Sequence, residues 1–300
     1  MATLEDILTQ ERARLFGLAY RMLGSAAEAE DVLQEAFLRA RETSLETIRS
    51  PASLLTTIVV RLCIDQKRSA RARREVYVGP WLPEPVPTRS DADPIERAEQ
   101  ISQAFLVVLE SLSPLGRAAY LLREVLGYEY PEIASVLDRD ERACRQLVSR
   151  AKREILERRP RFAPSREEHR ILVERFAETV RTGDVHGLAV LLSEQVAAIA
   201  DGGGMIGVAR SPVLGREKVA RYFVRLAGAL GMRFEPAELN GWVGLLGVVG
   251  GQVFCATQFE TDGAHVLRIS TTVNPEKLHA LRSGQVLRLE ATEGPSSGDA

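Results

Sequence analysis

Tyr130-Pro-Glu-Ile-Ala-Ser-Val-Leu137, Asp138-Arg-Asp140 and Glu141-Arg-Ala-Cys-Arg-Gln-Leu-Val-Ser-Arg150-Ala-Lys-Arg-Glu-Ile-Leu-Glu-Arg-Arg159 run on without a gap. Pro131 suits the first turn of a short helix, where a missing N–H costs nothing. The polar Asp138 to Asp140 segment turns the chain, and a long helix opens at Glu141, giving helix, turn, helix. On the wheel of the long helix, Ala143, Leu147, Val148, Ala151 and Ile155 share one side, and Arg142, Arg145, Gln146, Ser149 and Arg153 share the other. Arginine and glutamine make paired hydrogen bonds to guanine and adenine edges in the major groove, whereas Ser149, Arg150 and Lys152 suit phosphates. Seven basic residues against three acids, a glutamine within the stripe and a short helix ahead of it set this face apart from an ordinary solvated charge run.

Working upstream, an apolar helix containing Leu55, Ile58, Val59 and Leu62 ends in Asp65 to Arg74, where Lys67, Arg68, Arg71, Arg73 and Arg74 stand against one acid. Such a cluster suits a phosphate backbone, although the negative end of a helix would favour one or two of these cations anyway. Earlier still, Ala29, Val32, Leu33, Ala36 and Phe37 form an apolar face and Glu28, Asp31 and Glu35 an acidic one. That face fits a protein partner, and it fits equally a surface helix with acids near its positive end. Four prolines within eight residues, Pro80, Pro83, Pro85 and Pro87, then forbid a helix and favour an extended linker. Helical periodicity resumes near Pro94, with Ser113 and Pro114 as a cap and first-turn pair.

Downstream, Pro160 and Pro164 break the pattern. Two helices are expected at Arg166 to Arg181 and Val185 to Leu192. Strands are expected at Val196 to Ala200, Met232 to Leu239, Trp242 to Val249, Gln252 to Glu260 and His265 to Val273, with turns such as Gly250-Gly251 and Asp262-Gly263 between them. Two or three helices with a meandering sheet make an α+β domain. The Gly-, Ser- and Pro-bearing tail from Glu293 is expected to be disordered.

Three hundred residues exceed the ~100 to 200 of one domain, so two or three are expected. Net charge does not discriminate, since residues 1–160 hold 24 basic and 25 acidic side chains and 161–300 hold 15 and 16. Cys63, Cys144 and Cys255 are odd in number and widely spaced, which offers neither a disulfide framework nor a metal knuckle and fits a reducing cytoplasm. The acidic amino terminus is unlike a secretory signal, and no apolar run approaches the ~20 residues of a membrane span. No metal or other cofactor is expected.

Taken in order, Ala29-Glu-Asp-Val-Leu-Gln-Glu-Ala-Phe-Leu38, Leu54-Leu-Thr-Thr-Ile-Val-Val-Arg-Leu-Cys-Ile-Asp65 with its basic tail, and the helix-turn-helix resemble an extracytoplasmic-function sigma factor over residues 8–159. The resemblance implies a multidomain protein with two all-α domains, sigma region 2 (1–75) and helix-turn-helix region 4 (99–160), joined by a linker (76–98). It implies promoter DNA and core RNA polymerase, through its β′ clamp and β flap, as partners. Asp31, Gln34 and Glu35 match the clamp-binding motif. Arg61, Lys67, Arg68, Arg71, Arg73 and Arg74 match the side that meets the minus-10 element, and Arg142, Arg145, Gln146, Ser149, Arg150, Lys152 and Arg153 the minus-35 side. Asp138 stands where such proteins often carry glycine, and aspartate tolerates a left-handed conformation. Trp81-Leu82-Pro83-Glu84-Pro85, Asp201-Gly202-Gly203-Gly204 and Asn274-Pro275-Glu276-Lys277-Leu278 are similar to motifs of sigma factors fused to a SnoaL-like domain. That implies a cone-shaped NTF2-like regulatory domain (165–290, before a tail at 291–300), with these motifs near a regulatory interface. Met205 departs from the subgroup, where a lysine commonly follows the glycines.

Two other readings stand beside this one. A helix-turn-helix regulator could act without polymerase, but it would have no use for the Glu28 to Glu35 face. The cone could bind an unidentified small ligand or catalyse proton transfer, with Asp201 and His186 as candidates, although no nucleophile-and-base pair or metal spacing accompanies them. From the stripe itself, Arg145→Ala is expected to lower transcription and relax sequence preference. Lys152→Ala should instead weaken binding evenly and shallow its salt dependence by about one in slope, both measurable by promoter competition at several salt concentrations.

Overall fold

The computed structural model describes residues 4–41, 50–74, 77–88, 102–158, 164–205 and 208–283. The chain divides into two compact units, one combining Met1–Glu75 with Phe105–Arg159 and the other Val76–Ala104 with Pro160–Leu287. The described linker residues, 77–88, therefore belong, by packing, with the carboxy-terminal part.

In the first unit, α1 (Leu4–Leu23), α2 (Ala26–Arg41) and α3 (Pro51–Arg74) pack against one another. Leu15, Leu18, Met22, Leu33, Leu55 and Val59 are wholly buried between them. The second group is α4 (Gln103–Leu109), α5 (Pro114–Tyr120), α6 (Tyr130–Leu137) and α7 (Glu141–Arg158). Ser113 caps α5 as its sequence predicts, accepting from the Gly116 N–H at 3.1 Å. α5 runs on into a π-turn at Leu121–Val125, which helical periodicity alone does not distinguish. Asp138 ends α6 at φ 52°, so the expected left-handed turn is present without glycine.

α3 also packs on α5 and α6, and an ionic clasp ties the two groups together. Arg117, with no exposure, donates from Nε to the Arg21 carbonyl at 2.6 Å and from Nη1 to Glu110 at 2.5 Å. Lys67 Nζ donates to both Glu110 oxygens, at 2.9 and 2.8 Å. Burying these charges costs several kcal/mol per ion, which pairing and hydrogen bonds offset only while the set is complete. Beside them, burial pushes the Cys63 thiol up, so it stays protonated.

The second unit holds α8 (Arg166–Thr182), α9 (Val185–Leu191), α10 (Arg216–Leu230) and a six-stranded sheet. Its strands are β1 (Leu192–Asp201), β2 (Val213–Leu214), β3 (Arg233–Leu239), β4 (Trp242–Val249), β5 (Gln252–Thr261) and β6 (Val266–Thr272), in the order β2-β1-β6-β5-β4-β3. Only β1 with β6 is parallel; the other neighbours are antiparallel. The five expected strands are present within a few residues of their expected ends. α10 supplies the third helix; its N-cap is Gly215, which offers no side-chain signal to find it by. Phe176 on α8 meets Phe223 and Phe259 edge-on at 5.2 and 4.9 Å, at the centre of the core between helices and sheet. A smaller cluster of Leu239, Ala256 and Leu278 follows, Leu278 coming from the 3₁₀ turn Pro275–Leu278 ahead of α11 (His279–Ser283). This is the α+β domain expected after two all-α domains.

Among the described residues, no helix is long and apolar enough to cross a membrane. The clasp gives a test of the first unit's packing. Glu110→Gln leaves Lys67 and Arg117 without their shared anion and is expected to cost about 3 kcal/mol, read as a lower urea midpoint at unchanged slope.

Candidate functional site

α7 rests on Cys144, Val148, Ala151 and Ile155, which are buried against the rest of the first unit. That leaves Arg142, Arg145, Gln146, Ser149, Arg150, Lys152 and Arg153 exposed, all seven on the outer face. Cys144 joins the buried stripe between Ala143 and Leu147, which are themselves only partly covered. Two of the seven are steered by acids: Arg145 meets Glu141 at 3.2 Å and Lys152 meets Glu124 at 2.9 Å. These exposed pairs orient their cations and add little stability.

The residues matched to the minus-10 side separate. Arg68 is exposed, 3.6 Å from Asp65. Arg61 Nε donates to the Val136 carbonyl at 3.2 Å, beside the end of α6, and Lys67 is buried in the Glu110 clasp. Lys67 is thus withdrawn from the surface, whereas Arg61 remains exposed. Arg71, Arg73 and Arg74 lie outside the residues whose side chains are described. On α2, Ala29, Val32, Leu33 and Ala36 face inward, while Asp31, Gln34 and Leu38 are exposed. Glu35 is half-exposed and pairs with Arg39 at 2.7 Å.

The linker motif and the two carboxy-terminal motifs converge on one carboxylate. Asp201, at the end of β1, has no exposure. It accepts from Tyr77 Oη at 2.5 Å, the Leu82 N–H at 2.8 Å, the Gly203 N–H at 3.2 Å and Lys277 Nζ at 2.7 Å. Lys277 also donates to the Leu82 carbonyl at 2.5 Å and lies 4.1 Å from the Trp81 ring centroid. Asn274 caps the 3₁₀ turn by accepting from Glu276 N–H, and its amide donates to Tyr77 Oη at 3.1 Å. Gly203 is required here: its φ is 59°, and a Cβ would stand 2.6 Å from Asn274 Cγ. Gly202 is buried, Gly204 lies at φ 88°, and Pro275 and Glu276 are exposed. Burial and the Asp201 carboxylate push the Tyr77 phenol up, which keeps it a donor.

Leu82, Pro83, Glu84, Pro85 and Val86 are all buried. The far end of this strap is fastened at Asn240, where the Asn240 N–H donates to the Val86 carbonyl at 2.9 Å and Asn240 Oδ1 accepts from Val86 N–H at 3.2 Å. Thr88 N–H donates to the Glu238 carbonyl at 3.0 Å. Tyr77 and Asn240 were not singled out from the sequence. Asn240-Gly241 is nonetheless the turn pair expected of a tight hairpin, and Asn240 adopts φ 53° there.

Asp201 is thus spent on four donors, and His186 is exposed on the short α9. His169 is buried, with its ring nitrogens facing Thr261 Oγ1 at 3.2 Å and the Val243 carbonyl at 2.9 Å; burial pushes its pKa down and keeps it neutral. His265 and His279 are exposed. Among the described residues no group of three His, Cys, Asp or Glu could hold a metal ion.

Comparison with known proteins follows the same division. Residues 7–73 match the family described as Sigma-70 region 2, and residues 102–155 that described as Sigma-70, region 4. The ECF RNA polymerase sigma factor SigJ of Mycobacterium tuberculosis is 35% identical over 89% of this chain and 90% of its own. The ferric citrate uptake sigma factor FecI of Escherichia coli is 31% identical over 50% of this chain and 86% of its own, and so lacks a counterpart to much of the rest. The crystal structure of Mycobacterium tuberculosis SigJ superposes with a TM-score of 0.73 at 31% identity, covering 95% of this chain and 100% of that one.

The convergence on Asp201 yields a direct test. Lys277→Met removes the ammonium that pairs with Asp201, and breaking a buried pair costs about 3 to 5 kcal/mol. Hydrogen exchange at the Leu82 and Val86 amides is expected to quicken by about a hundredfold or more, while the β4 and β5 amides keep their protection.

Proposed function

We propose, from the premise that this chain belongs to the extracytoplasmic-function RNA polymerase sigma factors, that it directs transcription initiation and that its fused domain restrains it by holding the interdomain linker. The observation that carries this reading is the burial of Leu82 to Val86, with Asp201 and Lys277 clamped on Leu82.

The seven outward residues of α7 meet the minus-35 element, Arg142, Arg145, Gln146 and Arg153 at base edges and Ser149, Arg150 and Lys152 at phosphates. Arg68 and its basic neighbours meet the minus-10 side, and Asp31, Gln34 and Glu35 the polymerase clamp; the β flap receives region 4. Two elements named for positions about 25 base pairs apart are separated by roughly 85 Å at 3.4 Å per pair. A compact unit of ~130 residues has a radius of gyration of only ~14 Å, so regions 2 and 4 cannot reach both while clasped. They must part, which opens the Lys67–Glu110–Arg117 set and releases Arg61 and Lys67 for phosphates.

Parting needs linker. A segment of ~25 residues spans roughly 85 Å when extended, and holding about half of it on the sheet leaves only the other half, about 40 Å, free to reorient. The latch therefore acts on promoter recognition through the free length of chain and needs no catalytic step.

Run-off transcription with core polymerase, from a promoter upstream of its own gene, tests this. Full-length protein is expected to give a transcript and full-length Asp201→Asn a several-fold stronger one. Equal transcripts would remove the latch from regulation. Absence of transcript from several promoters with DNA binding retained would favour a regulator acting without polymerase.

A further inference from the structure

We propose that Tyr130 is a positioning residue for sequence recognition, its ring serving as the platform that holds Arg145 in one pose on the outer face of α7; this rests on reading α7 as the promoter-reading helix. Arg145 Cζ stands 4.1 Å from the Tyr130 ring centroid, close enough for the guanidinium to rest on the π-system. A second cation shares the ring, with Arg123 Cζ at 5.0 Å.

Two guanidinium groups at one ring repel unless each has its own anion, and each does. Arg123 pairs with Glu129 at 2.8 Å and donates to the Tyr128 carbonyl at 2.9 Å; Arg145 pairs with Glu141 at 3.2 Å. The local backbone builds the arrangement. Arg123 sits within the π-turn, where the Leu126 N–H reaches back to Leu121 at 3.0 Å. Tyr130 opens α6 directly after Glu129, whose capping box with Glu132 fixes the entry of the chain. The ring is thereby held from one side of the motif while Arg145 comes from the other.

The consequence is for recognition more than for stability. The Arg145 side chain remains 57% exposed, so its free N–H edge can still meet a base. An unrestrained arginine must give up rotamer freedom on docking, and a pre-set guanidinium plane gives up less. Pre-orientation favours the one base edge whose paired acceptors lie in that plane and so sharpens preference at a single position. The expected size is that of one exposed cation–π contact, about two- to fivefold.

The experiment uses full-length protein assembled with core polymerase and promoter duplexes carrying each single base-pair change in the minus-35 element, competed at one salt concentration. Tyr130→Phe is expected to keep every preference, because the ring face is retained. Tyr130→Leu should relax preference about two- to fivefold at the same base pair as Arg145→Ala, and the double variant should relax it no further than Arg145→Ala alone. Unchanged preference in Tyr130→Leu, or a uniform loss across all sequences, would overturn the proposal while leaving Arg145 as a reader. Unchanged preference in Arg145→Ala would overturn the underlying reading itself. Should Tyr130→Leu not fold, ring-current shifts of the Arg145 side-chain protons in the unmodified protein decide: upfield displacement supports the platform, and its absence overturns it.

Discussion

A carboxylate taken wholly out of water must be met by donors on nearly every side, and Asp201 meets that demand by recruiting from its own loop and from two distant places in the chain. Its own loop gives the Gly203 N–H, the carboxy-terminal 3₁₀ turn gives Lys277, and the linker gives Tyr77 and the Leu82 N–H. Because an incomplete set would leave a charge buried and unpaired, these segments are held together or not at all. The geometry around the site follows from it. Glycine is needed at 203 so that the loop can lie against Asn274, and Asn274 can then both cap its turn and reach Tyr77.

The same logic recurs in the first unit, with a different outcome for DNA. Lys67 and Arg61 carry the charge and hydrogen-bonding capacity that a phosphate backbone would use, yet here they serve Glu110 and the end of α6. The surface of α7 is open while Lys67 is occupied internally. On the proposed reading, one promoter element can be recognised by the closed unit and both cannot. Linker length is the quantity that connects this competition to the carboxy-terminal domain.

Much of this was legible in sequence where the signal is local. The helix-turn-helix followed from period, from Pro131 and from donors on one face of α7; the hairpins followed from alternation and glycine-bearing turns. The three motif segments stand out in sequence, but not what joins them. Tyr77 and Asp201 are 124 residues apart, Asp201 and Lys277 are 76 apart, and Lys67 and Glu110 are 43 apart. Periodicity carries no record of such pairings, and a basic cluster gives no sign that one of its lysines is buried. Asp201 fits a possible acid–base group by its type and loop, and sequence does not show the four donors around it. α10 begins at a glycine with no capping side chain, and the π-turn follows α5 without a break in apolar spacing, so neither announced itself.

The account stands on the coupling between Asp201 and Lys277. A double-mutant cycle of Asp201→Asn, Lys277→Met and the pair, followed by protection of the Leu82 amide in otherwise intact full-length protein, measures that coupling directly. The account predicts that the double variant opens the linker far less than the two single losses summed, with an interaction of about 2 kcal/mol or more, because removing both charges leaves none stranded. Additive losses, or protection that neither substitution alters, would contradict it.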